Sequence, residues 1–189
     1  RIFVELWHDD AVTAQRLMQQ VMDEMHRIDE LMSPYKETAQ LFIINRDAAQ
    51  KPVAVTPELF ELILVSNHYS DLSGGAFDIT FASLGHQFDY RKHVRPDEAH
   101  RKSGQALINY KALQLDAKKH TVFFPHQGMR IDLGGIAKGY AVDKAIAILQ
   151  QASVTNAIVT AGGDSRLLGD RRGRPWLMGI KHPRADSHA

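Results

Sequence analysis

The run DLGGIAKGYAVD, residues 132–143, decides how this chain is read. Strand-like residues, Met129-Arg130-Ile131, lead into Asp132. Gly134 and Gly135 follow, then Lys138. The spacing of Val142, Ala145, Ile146 and Leu149 predicts a helix over about 135–151. A strand–Gly-Gly–helix junction can accept an anion. Glycine has no Cβ, so backbone N–H groups can approach a ligand closely. The first N–H groups of a helix have no intrahelical partner, and the helix dipole adds positive potential there. Lys138 falls in the first turn, where Cα–Cβ bonds tilt back toward the N-terminus, so its ammonium reaches the same place. The guest expected is a phosphate or pyrophosphate. The run is neither a P-loop nor a Gly-x-Gly-x-x-Gly fingerprint. A tight turn beside a solvated lysine satisfies the same spacing, and Asp132 as a helix N-cap is a purely structural reading.

Composition narrows the field. The 189 residues are expected to form one domain, 1–189, long enough to bury a proper core. Hydrophobic content of 44% and charge of 24% are those of a soluble globular protein. A net charge of +1 gives no global field for nucleic acid, so no nucleic-acid partner is expected. The balance is local: residues 165–184 hold Arg166, Arg171, Arg172, Arg174, Lys181 and Arg184 against Asp170. That cluster reads as a solvated hairpin turn, with an anion-facing patch as the alternative. The absence of cysteine excludes disulfides, thiol catalysis and cysteine–zinc sites. No apolar run approaches a membrane span, and no signal peptide is legible. The chain opens on a strand and closes on Asp186-Ser187-His188-Ala189, so a fragment trimmed at both ends is expected.

Along the chain, residues 2–8 alternate as a strand. Residues 10–32 carry Leu17, Met18, Val21, Met22, Met25, Ile28, Leu31 and Met32 at helical spacing, a core-facing stripe that ends at Ser33-Pro34. Residues 35–47 read as a connection with a short apolar run, Leu41 to Ile44. Thr56-Pro57 opens a second helix, which closes at Ser73-Gly74-Gly75. A helix is expected over 96–107, and strands at Leu113–Asp116, Thr121–Phe124 and Ala157–Thr160. Ser165–Leu168 and Trp176–Ile180 are expected to pair across Gly169–Pro175. Strands and helices mix without regular alternation, so the class is α+β.

Other candidates stand beside the Gly-Gly junction. Tyr35, after Ser33-Pro34, can stack on a planar ring or cap the helix end. Asp78 and Thr80, in FDIT, are placed on a strand edge where they can hold a ribityl chain, a ribose or water, or else close a turn through side-chain-to-backbone bonds. Asp164, after Gly162-Gly163, can accept from ligand hydroxyls or serve as a turn aspartate. His86, His93 and His100 lie seven apart, but Pro96 intervenes, so no single helix presents all three. No His-Glu-x-x-His and no nucleophile elbow exist.

Taken together, LMSPYKETAQLFIIN (31–45), GGAFDIT (74–80), IDLGGIAKGYAVDKA (131–145) and NAIVTAGGDSRLLG (156–169) closely resemble the ApbE family. These are flavin transferases, once called thiamine biosynthesis lipoproteins. The resemblance runs over nearly the whole chain in the right order. It implies an ApbE-like, T-fold-like architecture of mixed sheets and long helices. It implies binding of FAD with Mg2+, and transfer of FMN to a threonine or serine hydroxyl of a target protein with release of AMP. The implied targets are subunits of membrane redox pumps. The implied setting is the periplasm, with a lipid anchor on the inner membrane. Some relatives instead hydrolyse FAD to FMN and AMP. A flavin-binding module without turnover is the further alternative.

Carried residue by residue, Tyr35 matches the tyrosine that stacks on the isoalloxazine ring. Gly134, Gly135 and Lys138 match the element lying against FAD. The backbone carbonyl of Ala137 matches a magnesium ligand, and Gly162, Gly163 and Asp164 match a run lining the pocket. Three departures stand out. The family's opening Met-Gly-Thr and lipobox are not matched. Ser83 stands before Leu84, where the family carries a proline. Nothing after Gly179 matches the family's catalytic histidine or its metal-binding aspartate and threonine, and His182 comes too early for that role. The chain is therefore expected to hold half of the metal site.

Overall fold

The computed structural model describes residues 1–89 and 92–179. The stretch read as one domain divides into two compact units: Arg1–Asp23 with Ala141–Ala189, and Glu24–Tyr140. Two long helices, α1 (Ala11–Met32) and α6 (Ala137–Gln151), contribute residues to both. Of the α1 stripe, Leu17, Val21, Met25, Ile28 and Met32 are buried, while Met18 stays 38% exposed. Among the described residues no helix is long and apolar enough to cross a membrane.

The first unit holds a three-stranded antiparallel sheet in the order β1 (Ile2–Leu6), β5 (Ala157–Ala161), β6 (Asp164–Leu168). Ile2 lies opposite Ala161 and Leu6 opposite Ala157. Strand β5 is the most apolar and the most buried, as the central position requires. The predicted hairpin is corrected here. Residues 165–168 pair with β5, with Ala161 opposite Asp164. The connection is the two-residue turn Gly162-Gly163, with φ of +60° and +110°. Positive φ at both central residues gives the turn whose twist matches paired strands, and glycine adopts it without steric cost. The short Gly-Gly loop therefore outcompetes the longer 169–175 connection. Trp176–Gly179 form no strand, and Ile180 lies outside the described residues.

The second unit contains α2 (Gln40–Asp47), β2 (Val53–Ala54), α3 (Pro57–Leu72), the 3-10 turn η1 (Ile79–Phe81), α4 (Ala82–Gly85), α5 (Glu98–Ala106), the 3-10 turn η2 (Tyr110–Ala112), β3 (Gln114–Asp116) and β4 (Thr121–Phe123). Its sheet is antiparallel in the order β2-β4-β3. Thr56 caps α3 as expected, its side chain accepting from Leu59 N at 3.4 Å, with Pro57 in the first turn. The expected connection at 35–47 contains a helix instead. Leu41 and Ile44, three residues apart, are fully buried on one face of α2. Ala39 at its N-cap offers no side-chain bond, so the sequence carries no start signal.

The expected strand at Met129–Ile131 is also corrected, because these residues join no sheet. Met129 and Ile131 are nonetheless buried, and buried backbone groups must find partners. Side chains and one distant carbonyl supply them. Ile131 N donates to Asn45 Oδ1 at 2.8 Å, and Asn45 Nδ2 donates to Ile131 O at 2.9 Å. Arg130 N donates to Ser83 Oγ at 3.0 Å, and that hydroxyl donates to Arg130 O at 3.2 Å. Asp132 N donates to Ile79 O at 2.9 Å. In place of a strand ladder, Asn45 and Ser83 side chains and the Ile79 carbonyl pair its backbone.

Asn45→Ala removes both bonds to Ile131 and leaves a buried N–H and C=O unsatisfied. It is expected to destabilise the protein by about 1–3 kcal/mol. A urea titration checks this, and amide exchange at residue 131 should accelerate more than at β4.

Candidate functional site

The clamped segment forms one wall of an open cavity of about 700 Å³. The cavity is lined by Pro34 and Tyr35 after α1, Asn45 on α2, Phe81 and His86 at the ends of η1 and α4, Phe88, Asp89, and Arg130–Asp132. That volume lies within the usual range for small-molecule sites. Its aromatic lining is exposed: Tyr35 is 87% accessible, Phe81 47% and Phe88 43%. Tyr35 therefore does not cap the helix by packing on it. Ser33 Oγ closes the turn that follows the helix, accepting from Tyr35 N at 3.2 Å and Lys36 N at 3.3 Å. Lys36 pairs with Asp29 at 2.6 Å and with Glu30, and these hydrogen bonds hold its pKa above the ordinary value. The loop is fixed from both sides while the Tyr35 ring is presented to solvent. An exposed ring on a fixed backbone is a stacking platform for a planar ligand.

Asp78 and Thr80 do not lie on a strand edge. Asp78 is the N-cap of η1, accepting from Thr80 N at 2.8 Å and Thr80 Oγ1 at 2.6 Å. Its other oxygen accepts from Tyr110 N at 3.1 Å, and Thr80 Oγ1 accepts from Asn109 N at 2.8 Å. Thr80 is fully buried. The turn-closing reading describes what both side chains do here. A short polar side chain can bond nearby backbone better than a strand ladder can, and 3-10 geometry follows. Their contribution to the cavity runs through Ile79, which receives Asp132 N, and through Phe81 on the wall.

Immediately beyond the cavity wall, the chain turns into α6. Asp132 Oδ1 accepts from Gly134 N at 2.6 Å, so Asp132 shapes the turn before the helix. Gly134, Gly135 and Lys138 are all exposed, and the corner is not packed shut. Positive φ is not the reason for these glycines, because neither adopts it. The reason is close approach. A Cβ on Gly134 would sit 2.8 Å from Asp132 Oδ1, and one on Gly135 would sit 3.1 Å from the Phe77 ring. Ala137 opens the regular helix and Lys138 follows in its first turn. Gly162, Gly163 and Asp164 belong to the other unit, where they make the exposed β5–β6 turn.

The basic cluster at 165–184 divides among local partners. Arg166 bonds Asp143 at 2.5 Å and Arg171 bonds Glu5 at 3.4 Å. Arg171 also lies 6.0 Å from the Trp176 ring, and Arg172 lies 5.8 Å from the Trp7 ring. Lys181, His182 and Arg184 lie outside the described residues. The residues that sequence reasoning missed are Asn45, Phe81, His86, Phe88 and Arg130. Three of them, Asn45, Phe81 and Arg130, close or adjoin the runs already quoted; His86 was weighed only as a metal ligand, and Phe88 gave no local signal.

Residues 2–189 match the model of a family described as the ApbE family. The chain belongs to the ApbE family. It is 30% identical over 190 residues to a Klebsiella pneumoniae (strain 342) protein named FAD:protein FMN transferase, covering 100% of this chain and 57% of that relative. A Vibrio cholerae serotype O1 protein of the same name is 26% identical over 185 residues, covering 95% of this chain and 54% of the relative. Among solved structures, the ApbE protein from Thermotoga maritima superposes with a TM-score of 0.85 at 32% identity, covering 98% of this chain and 60% of that one. The flavin transferase ApbE from Vibrio cholerae gives 0.85 at 24% identity, covering 96% and 60%, a likeness of fold alone. This chain thus spans little more than half the length of the curated relatives it matches. The α+β class and the ApbE-like architecture read from the sequence are those of the structure.

Substitutions at Gly135, before α6, and Gly139, within it, separate close approach from helix propensity. Gly139, with nothing within 4 Å of its absent Cβ, is expected to gain about 0.5–1 kcal/mol on mutation to Ala. Gly135→Ala is expected to lower the melting temperature instead, because the Phe77 ring must move. Parallel thermal melts read both.

Proposed function

We propose that this chain is the flavin-nucleotide-holding part of an FAD:protein FMN transferase. The observation that carries the reading is the adjacency, within one unit, of an aromatic-walled cavity and an open helix start. Tyr35 would stack on the isoalloxazine. Gly134, Gly135 and Lys138 would face the diphosphate. The two relatives quoted above carry the name of this activity.

The reaction moves FMN onto a threonine or serine hydroxyl. The hydroxyl oxygen forms a bond to the FMN phosphorus, the bond from that phosphorus to the bridging oxygen breaks, and AMP departs with that oxygen. The hydroxyl proton passes to a general base. The role of this chain's residues is to bind and orient. A lysine contact to the diphosphate contributes about 1.5–3 kcal/mol, and the helix terminus about 0.3–2 kcal/mol.

The reading includes Mg2+, which would neutralise charge on the diphosphate when bound. It places the Ala137 carbonyl among its oxygen ligands. Magnesium takes about six oxygens. Among the described residues no group of three or more His, Asp or Glu could hold a metal ion, so these residues do not make a metal site by themselves. The target is read as a flavoprotein subunit of a membrane redox pump, in a periplasmic setting with a lipid anchor. Hydrolysis of FAD to FMN and AMP, and flavin binding without turnover, are the competing outcomes.

Incubation with FAD, Mg2+ and a target domain should leave covalent flavin fluorescence on the target in a denaturing gel. AMP release with an unlabelled target identifies hydrolysis instead, and binding without either product identifies the module. Lys138→Ala is expected to weaken FAD binding at least tenfold, which is about 1.4 kcal/mol. An unchanged flavin titration would remove Lys138 from the site.

A further inference from the structure

Two residues beyond Lys138, Tyr140 enters a network that the reaction described above does not use. Its hydroxyl donates to Glu58 Oε1 at 2.6 Å. Glu58 in turn accepts from Arg27 Nη1 at 2.6 Å and Nη2 at 2.7 Å. The same guanidinium donates from Nε and Nη2 to Glu24, both at 2.8 Å. Four N–H groups of Arg27 are thereby placed in two bidentate carboxylate pairs, the geometry in which arginine forms its most directional bonds. Glu24 and Arg27 stand on α1, Glu58 opens α3, and Tyr140 lies in the first turn of α6. All four belong to one unit.

The consequence is rotational. Successive residues on an α-helix are about 100° apart, so Tyr140 and Lys138 lie roughly 200° apart, on nearly opposite faces. Tyr140 is half-buried and Lys138 is exposed. Holding Tyr140 against Glu58 therefore sets the face that presents Lys138. Burial, and then the bond to Glu58, push the Tyr140 hydroxyl well above its ordinary pKa, so it remains a donor wherever the protein is folded.

We infer that Tyr140, held by Glu58 and Arg27, is a positioning residue that fixes the rotational phase of the first turn of α6 and so aims Lys138 at the diphosphate of FAD. This rests on the reading of Lys138 given under Proposed function.

A double-mutant cycle on FAD affinity, read by flavin fluorescence in the intact protein, tests it. Tyr140→Phe keeps the ring and removes the bond. It is expected to weaken FAD binding about three- to tenfold in the parent, and less than about twofold in a Lys138→Ala background, because coupled residues do not act additively. Glu58→Gln, which keeps an oxygen for the tyrosine, is expected to fall between the parent and Glu58→Ala. It also carries the same cycle should Tyr140→Phe fail to fold. An equal loss in both backgrounds, or a lowered melting temperature with unchanged FAD affinity, overturns the inference. If Lys138→Ala alone leaves the titration unchanged, the diphosphate reading of Lys138 fails first. If Lys138→Ala weakens binding and Tyr140→Phe does not, only the positioning role fails.

Discussion

The pair of bonds between Asn45 and the backbone of Ile131 is the constraint on which the cavity depends. Met129 and Ile131 are buried, yet residues 129–132 join no strand of either sheet. Their polar groups are matched one by one: Asn45 for Ile131, Ser83 for Arg130, Ile79 for Asp132. A ladder of side chains gives a wall that a strand could not give. A strand would present its edge to another strand, whereas here one flanking partner, Asn45, also faces the cavity. Asn45, Arg130, Ile131 and Asp132 all line it. The cost of leaving a buried N–H or C=O unpaired is what holds the wall in place.

Ser83 shows how this chain meets that constraint in its own way. It stands where the family resemblance expects a proline, and a proline has no side-chain donor or acceptor. Here the hydroxyl both accepts from Arg130 N and donates to Arg130 O, while being 1% exposed. Helix α4 is thus tied to the wall by polar bonds. Phe81 at the end of η1 and His86 at the end of α4 stand at the cavity rim.

Exposure of the aromatic rings follows from the same arrangement. Tyr35, Phe81 and Phe88 leave large apolar faces in water, which folding alone does not favour. Their backbones are held by other means: Ser33 and Lys36 around Tyr35, and Asp78 at the start of η1. Rings kept accessible on rigid supports are what a planar ligand requires. The proposed stacking of a planar ligand would account for them, and simple core packing does not.

Much of the outline was written in local sequence. The helical stripe from Leu17 to Met32, the Thr56-Pro57 start and Gly74-Gly75 stop of α3, and the apolar strand 157–161 carry their own periodicity or capping chemistry. Local spacing suffices where neighbours in sequence are neighbours in space. The Gly-Gly-x-x-Lys run likewise announced an open helix start, because helix termini are short-range features. What only the tertiary structure decided involves partners far apart in the chain. Residues 129–131 read as a strand, and only Asn45, 86 residues away, makes them a clamped wall. Asp78 and Thr80 read as possible ligand groups until Asn109 and Tyr110 arrive to occupy them. Helix α2 has no cap to announce it, and is made a helix by burial of Leu41 and Ile44. The link from Tyr140 to Glu58 and Arg27 spans more than eighty residues, and no spacing rule reaches that far.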